Sequence, residues 1–189
     1  DRKFVYIKNI NNLLVVEAAT WTLLQTASYP GSGASLHGIA MRHSGSHVYV
    51  TGAGNELYEW AVATNGMVAF SRTIALPAGS YPCGLALSAD DSKAYVCLSI
   101  ANKLAVVNLT NGTITQQITA GIAPWDVALA PDGNTAYVSD WGGRFPTGGD
   151  LTAPSAGTQV VIDSRGVAAS GVVSFVNLIT GLQTAQTAT

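Results

Sequence analysis

A repeated strand pattern predicts an all-β protein, a β-propeller of four-stranded antiparallel blades. A tyrosine followed by Ile or Val recurs at Tyr6, Tyr49, Tyr95 and Tyr137, in steps of 43, 46 and 42 residues. Repeats of about 40–45 residues with strand-like content are typical of propeller blades. The repeats consist of short apolar runs separated by Gly, Asn and Asp turns, and no segment has a convincing helical period. We therefore expect about three and a half blades, a partial propeller.

Each repeat is expected to supply one blade, about residues 1–36, 37–80, 81–122 and 123–189. The third repeat is the clearest, with strands predicted at 84–88, 94–99, 103–109 and 113–118. Its last two strands are joined through Asn111-Gly112, a strong hairpin signal. The first repeat lacks its first strand and supplies 4–8, 13–18 and 22–27.

The fourth repeat is interrupted. Its third strand, predicted at 172–178, begins about 27 residues later than the third repeat predicts. We therefore place an insertion at about residues 141–170, between the second and third strands. Gly142, Gly143, Gly148, Gly149, Pro146 and Pro154 disfavour regular strands there. Only 159–163 is expected to form a short strand, and the insertion is expected to fold over the channel mouth rather than extend the sheet.

Composition favours a folded domain and argues against two classes of partner. The 189 residues are 48% hydrophobic and 11% charged, with a net charge of -2. A basic patch for nucleic acid is missing, and no apolar run approaches the ~18 residues that a membrane span needs.

Closed propellers have ~4–8 blades, more than the three and a half predicted for this chain. We therefore expect a fragment of a longer propeller, or closure by missing blades from the same chain or another copy.

Several motifs resemble the YVTN-repeat β-propeller family, over essentially the whole chain. They are Pro82-x-Gly84, Asp132-Gly133, Ala-Tyr-Val at 94–96 and 136–138, and Val-Val-Asn-Leu-Thr-Asn-Gly at 106–112. The second repeat departs from this pattern, since His37 replaces the proline and Ser44 replaces the turn aspartate.

The insertion carries a second resemblance. Its segments Trp141-Gly-Gly-Arg144 and Gly149-Asp-Leu-Thr-Ala-Pro-Ser155 look like those of bacterial proteins that join such a propeller to an alkaline-phosphatase-like phosphoesterase domain. This resemblance implies a phosphoesterase domain as a partner. Metal and nucleophile would then lie in that separate domain, so no catalytic residue is carried onto this chain.

The propeller resemblance implies that the insertion shares a face with the loops between blades. Function tends to lie on loops that a rigid scaffold holds. The candidate ligand-binding residues on this face are His37, Tyr81, Trp125, Asp126, Asp140, Trp141, Arg144 and Asp150. Two readings stay open: a polar and aromatic binding surface, or a structural clamp in which the tryptophans pack the insertion and Arg144 pairs with Asp140 or Asp150.

Cys83 and Cys97 are the only two cysteines. They lie near the ends of adjacent predicted strands, where facing residues come close enough for a disulfide. Two buried free thiols are the alternative, because Cys is often buried as a small apolar residue. A bridge would imply an oxidising compartment, and low charge points the same way. We therefore expect a periplasmic or extracellular protein.

The predicted channel strands are mainly apolar, with Asp126 as the exception. Propeller enzymes usually converge several carboxylates, histidines or a cofactor on the axis. The sequence therefore predicts a non-catalytic binding or assembly module without metal or cofactor. The alternative is a propeller enzyme with a site on the channel face.

Overall fold

The computed structural model describes residues 3–168 and 171–188, which form strands and turns and contain no helix. No segment of this described part is a helix long and apolar enough to cross a membrane. The first sheet has three strands, β1 (Phe4–Lys8), β2 (Asn12–Glu17) and β3 (Leu23–Ser28). The second has four, β4 (Ala34–Met41), β5 (His47–Gly52), β6 (Glu56–Val62) and β7 (Val68–Ala75).

The third sheet contains β8 (Pro82–Leu87), β9 (Lys93–Leu98), β10 (Lys103–Asn108) and β11 (Thr113–Thr119). The fourth contains β12 (Ile122–Leu129), β13 (Thr135–Gly143), β16 (Val172–Asn177) and β17 (Leu182–Ala188). The hairpin β14 (Thr152–Ser155) and β15 (Thr158–Val161) lies between β13 and β16. All strand pairs are antiparallel, and each four-stranded sheet follows chain order. The fold is a partial β-propeller, as predicted.

Turn chemistry explains why the strands end where they do. Asp90 accepts hydrogen bonds from Ser92 in the β8–β9 turn, and Asn108 accepts one from the Thr110 amide in the β10–β11 turn. Gly112 has a φ of 72°, a left-handed conformation that glycine adopts without a steric penalty. The predicted strands of the third repeat therefore match the observed ones to within two residues.

The core lies between neighbouring sheets. One buried cluster joins the first and second sheets, another the second and third, and another the third and fourth. The inner strand β8 packs between β4 and β12. A Cβ on Gly84 would lie 2.2 Å from Asp126 Oδ1, and one on Gly38 would lie 2.1 Å from the Cys83 carbonyl oxygen. These two glycines therefore permit the close approach of the inner strands.

The insertion differs from its prediction in two ways. It contains a two-stranded hairpin rather than one short strand, and Pro154 is paired with Gln159 inside it. Proline is tolerated there because a strand of a two-stranded sheet has a free edge. In addition, β13 continues to Gly143, which pairs with Ile122. The first residues of the insertion therefore extend the fourth sheet, contrary to the expectation.

Candidate functional site

Three aromatic rings from β4, β12 and β13 form a stacked column. The imidazole of His37 stacks on Trp125 with ring centroids 5.7 Å apart and planes 8° from parallel. Trp125 stacks in turn on Trp141, with centroids 4.1 Å apart and planes 4° from parallel. His37 comes from β4, Trp125 from β12 and Trp141 from β13, so the aromatic column joins the second blade to the fourth. Trp141 is 66% exposed, which leaves much of its indole open to a ligand.

Backbone irregularity places Trp125 in this column. The β12–β13 register shifts on either side of Pro124, and Ala123 has a φ of 53°. The Ala123 amide donates a hydrogen bond of 2.9 Å to Asn102 Oδ1, which belongs to the β9–β10 turn. Bulges of this kind redirect side chains. The bend therefore places the Trp125 ring against the ring of Trp141 on the next strand.

His37 and Asp126 form a polar pair beside the aromatic column. The distance from His37 Nε2 to Asp126 Oδ2 is 3.2 Å, and both side chains are about half exposed. Exposed pairs of this kind add little to stability because water screens them. Asp126 is also held through its backbone amide, which donates to Ser139 Oγ at 3.1 Å. The pair therefore supplies a fixed polar edge to the aromatic column.

Asp140 does not belong to this surface. It is 1% exposed, and its Oδ2 accepts a hydrogen bond of 2.5 Å from Ser174 Oγ. Its Oδ1 has no hydrogen-bond partner within the described part of the chain. Neighbouring residues of a strand point to opposite faces, so Asp140 points inward where Trp141 points outward. Burial raises the pKa of Asp140 to about 7.

Arg144 pairs with Asp150, one of its two predicted partners. Its Nη1 and Nη2 atoms each lie 2.7 Å from an Asp150 carboxylate oxygen. The Thr147 amide donates to the same carboxylate at 2.6 Å. These hydrogen bonds, with the one from Arg144 foremost, lower the pKa of Asp150. Arg144 and Asp150 therefore close the loop that follows β13.

Tyr81 packs against the same core cluster as Trp125 and has a φ of 49°. Its carbonyl oxygen accepts a hydrogen bond from the Ser99 amide at 3.1 Å. The structure thus brings His37, Trp125, Asp126 and Trp141 together and places Tyr81 on the core that supports Trp125. It separates Asp140 as a buried group and assigns Arg144 and Asp150 to a loop closure.

Cys83 and Cys97 are both buried free thiols in the structure. Cys97 pairs with Leu104, while Cys83 lies where the β8–β9 register shifts. Burial raises the pKa of Cys83 to about 11 and that of Cys97 well above its usual value. The disulfide between them stays a prediction, and the free-thiol alternative agrees with the structure.

Thiol labelling checks the state of the two cysteines. We expect N-ethylmaleimide to leave the native protein unmodified at neutral pH, because buried thiols with raised pKa values react slowly. After denaturation without reductant, mass spectrometry is expected to find two modified cysteines. A denatured protein that takes up no label until it is reduced would show the bridge instead.

A polar cluster around Glu59 was not anticipated. The Glu59 carboxylate accepts a hydrogen bond from Tyr49 Oη at 2.8 Å and from Arg72 Nε, and Arg42 lies 3.5 Å away. Arg72 also donates to the Leu109 carbonyl oxygen of the third blade. The sequence signal that could have revealed this cluster is the spacing of residues across neighbouring strands. Tyr49 lies opposite Glu59, and Glu59 lies opposite Arg72 on the next strand. This cluster ties the second blade to the third.

A cavity of about 240 Å³ adjoins Trp141, and the sequence did not predict it. It lies between the insertion hairpin and the third blade. Thr158 in the hairpin accepts a hydrogen bond of 2.9 Å from Asn102 Nδ2. No sequence signal identifies the cavity, because it depends on how the hairpin docks. Within residues 3–168 and 171–188, no three His, Cys, Asp or Glu side chains converge as a metal site.

The stacked antiparallel sheets define the class of this protein, a partial β-propeller. No family model and no curated protein matches the chain. Among solved structures, it is similar to Kuenenia stuttgartiensis hydrazine synthase, with a TM-score of 0.70 and 17% sequence identity. The match covers 99% of this chain and 46% of that chain, so this chain spans about half of its length. A likeness at this identity shows the fold alone.

The exposure of Trp141 predicts a small stability effect. We expect Trp141→Ala to lower the free energy of unfolding by about 1 kcal/mol, the usual value of an aromatic pair. Trp60 is 4% exposed, and Trp60→Ala is expected to cost ~3–5 kcal/mol. Urea denaturation of both variants makes the comparison. Equal losses would show that Trp141 is a structural clamp.

Proposed function

We propose that this chain is a non-catalytic β-propeller module for binding or assembly, and that the aromatic column is its binding surface. The observation that carries the proposal is the exposed indole of Trp141, 66% accessible and stacked on Trp125. Exposed aromatic groups held in place by a rigid scaffold are typical anchors of binding surfaces. The contact between His37 and Asp126 adds polar groups beside the rings.

The chemistry of the neighbouring groups supports a non-catalytic role. Burial raises the pKa of the Cys83 thiol to about 11, which disfavours the thiolate that a nucleophile requires. Ser139 Oγ bonds to the backbone of Asp126. The His37 imidazole is engaged with the Asp126 carboxylate and the Trp125 ring. These contacts suit side chains that hold their neighbours in position, rather than a base that activates a nucleophile.

The proposal also includes a wider context. We propose a bacterial YVTN-repeat protein, secreted or periplasmic, in which further blades come from the same chain or another copy. A phosphoesterase domain would be joined to the propeller. The repeat motifs and the Trp141-Gly-Gly-Arg144 segment support this context. Hydrolysis of p-nitrophenyl phosphate by the product of the parent gene, but not by residues 1–189, is the expected result.

A ligand panel tests the proposed surface. Soluble oligosaccharides, proline-rich peptides and nucleosides are titrated against the protein, and tryptophan fluorescence reports binding. We expect at least one class to bind, and Trp141→Ala to weaken that binding about tenfold or more. Arg144→Ala is expected to weaken it while leaving the fold intact, because Arg144 holds the adjoining loop.

Trp21 provides the matched control, since it is 72% exposed but lies between β2 and β3, away from the aromatic column. Trp21→Ala should leave binding unchanged. Binding that survives Trp141→Ala, or the absence of binding across the panel, would overturn the proposed surface.

The alternative, an enzyme with a site on the channel face, is favoured by one observation, the His37–Asp126 pair. Turnover of a phosphoester or glycoside by this chain, lost in His37→Ala and Asp126→Ala, would establish that alternative.

A further inference from the structure

The cavity beside Trp141 has walls from both the blades and the insertion. The third blade contributes the β9–β10 turn, the fourth contributes the start of β12 and the end of β13, and the insertion contributes its hairpin. Trp141 lines the cavity, whereas Trp125 does not. Trp141 is also 66% exposed, so a ligand in the cavity can reach indole surface that Trp125 does not cover.

The lining of the cavity excludes some ligand classes. No described residue that lines it is charged, while Ser99, Asn102, Ser155 and Thr158 supply hydroxyl and amide groups. A charged ligand would lose its hydration without gaining an opposite charge. Asn102 and Thr158 already bond to each other, and a purely apolar ligand would leave the Ser155 hydroxyl without a partner. The walls therefore suit a neutral ligand with one apolar face and several hydrogen-bonding groups.

We propose that this cavity binds one ring of a neutral saccharide, with the apolar C–H face of the sugar on the uncovered side of Trp141. This inference rests on the proposed function, since it names the ligand class of the same surface. A pyranose combines an apolar face with an edge of hydroxyl groups, the combination that the lining requires. At about 240 Å³, the cavity is smaller than the ~300–1,000 Å³ of drug-sized pockets. It therefore suits a single ring.

Hydrogen bonds hold the cavity open. Asn102 donates to Thr158 in the hairpin through Nδ2 and accepts from the Ala123 amide through Oδ1, both at 2.9 Å. A single side chain thus joins the third blade, the fourth blade and the insertion. Preformed walls reduce the ordering cost of binding. The hydrogen bond from Asn102 therefore holds the hairpin against the third blade before a ligand binds.

Calorimetry and saturation-transfer NMR on the full chain test the inference. The neutral probes are methyl glucoside, methyl galactoside and N-acetylglucosamine, and glucuronic acid is the charged counterpart. Adenosine and triproline represent other ring-bearing ligands. We expect a neutral saccharide to bind and its C–H protons on one face to receive saturation. Glucuronic acid is expected to bind about tenfold more weakly, because its carboxylate has no partner in the cavity.

Two variants locate the site. Trp141→Ala is expected to weaken saccharide binding about tenfold or more. Ser155→Ala is expected to weaken it about fivefold, the effect of one hydrogen bond, without touching the aromatic column. Trp21→Ala should have no effect.

Each contrary outcome is distinct. Adenosine or triproline could bind in a way that depends on Trp141 while no saccharide binds at millimolar concentration. That result would overturn the saccharide as the ligand class and leave the proposed function standing. Saccharide binding that neither Trp141→Ala nor Ser155→Ala weakens would overturn the cavity as its site. If no probe binds, both the saccharide proposal and the proposed binding surface are overturned.

Discussion

Replacing Glu59 with alanine is expected to lower the free energy of unfolding by about 3 kcal/mol. Glu59 is buried and accepts hydrogen bonds from Tyr49 and Arg72, with Arg42 close by. Removing one partner of a buried ion pair typically costs ~3–5 kcal/mol, because the remaining charge is left unpaired. The side chains of Arg42 and Arg72 are partly exposed, so the expected loss of stability lies at the lower end of this range. Urea denaturation measures the change.

Two controls separate the lost charge pair from simple truncation. Glu17 is half-buried and accepts a hydrogen bond from the Thr20 hydroxyl, and Glu17→Ala should cost less than 1 kcal/mol, as pairs near the surface do. In a double-mutant cycle, Glu59→Ala and Arg72→Ala should be non-additive, since they remove the same contact. Additive losses would contradict an energetic coupling between Glu59 and Arg72.

Stability is expected to fall as pH rises through the range in which Asp140 ionises. Burial raises its pKa to about 7, above the ordinary value of about 3.9 in the unfolded chain. Between these two pKa values the folded state binds the proton more tightly, so the free energy of unfolding decreases with pH. The contribution is present below about pH 4 and lost above about pH 7. Its size is on the order of 2–4 kcal/mol.

The Asp140→Asn variant isolates this contribution, because it imitates the neutral carboxyl. We expect the variant to lack this fall in stability and to be more stable than the wild type at about pH 8. Urea denaturation across the pH range gives the difference curve. Asp132→Asn is the control, since Asp132 is exposed and lies in the β12–β13 turn. Parallel curves for Asp140→Asn and the wild type would show that the buried carboxyl is not the cause.

Sequence patterns alone predicted the blades because their signals are local. Tyr49, Tyr95 and Tyr137 lie on the second strands of their sheets, and Tyr6 lies on the first strand of the three-stranded sheet, whose repeat lacks its first strand. Apolar runs specify strands buried on both faces, and Asn-Gly and Asp-rich turns specify where the chain reverses. The order of the strands follows from these two features, since consecutive strands pair in antiparallel hairpins.

The contacts of the proposed binding surface were predicted in part. Placing the insertion beside the loops between blades indicated that Trp125 and Trp141 would meet, and they stack at 4.1 Å. The sequence could not show that Asp140 faces inward, because strand direction after a bulge depends on the register with the partner strand. It also could not choose between Asp140 and Asp150 as the partner of Arg144.

The sequence by itself determined the all-β architecture, the strand positions and the location of the insertion, because turn residues and apolar periodicity act over a few neighbouring positions. Only the tertiary structure decided the contacts between blades. The His37–Asp126 pair, the link from Arg72 to Leu109 and the cavity under the hairpin join residues far apart in the chain. Such contacts depend on how whole sheets pack, and packing is set by the summed volumes of many side chains.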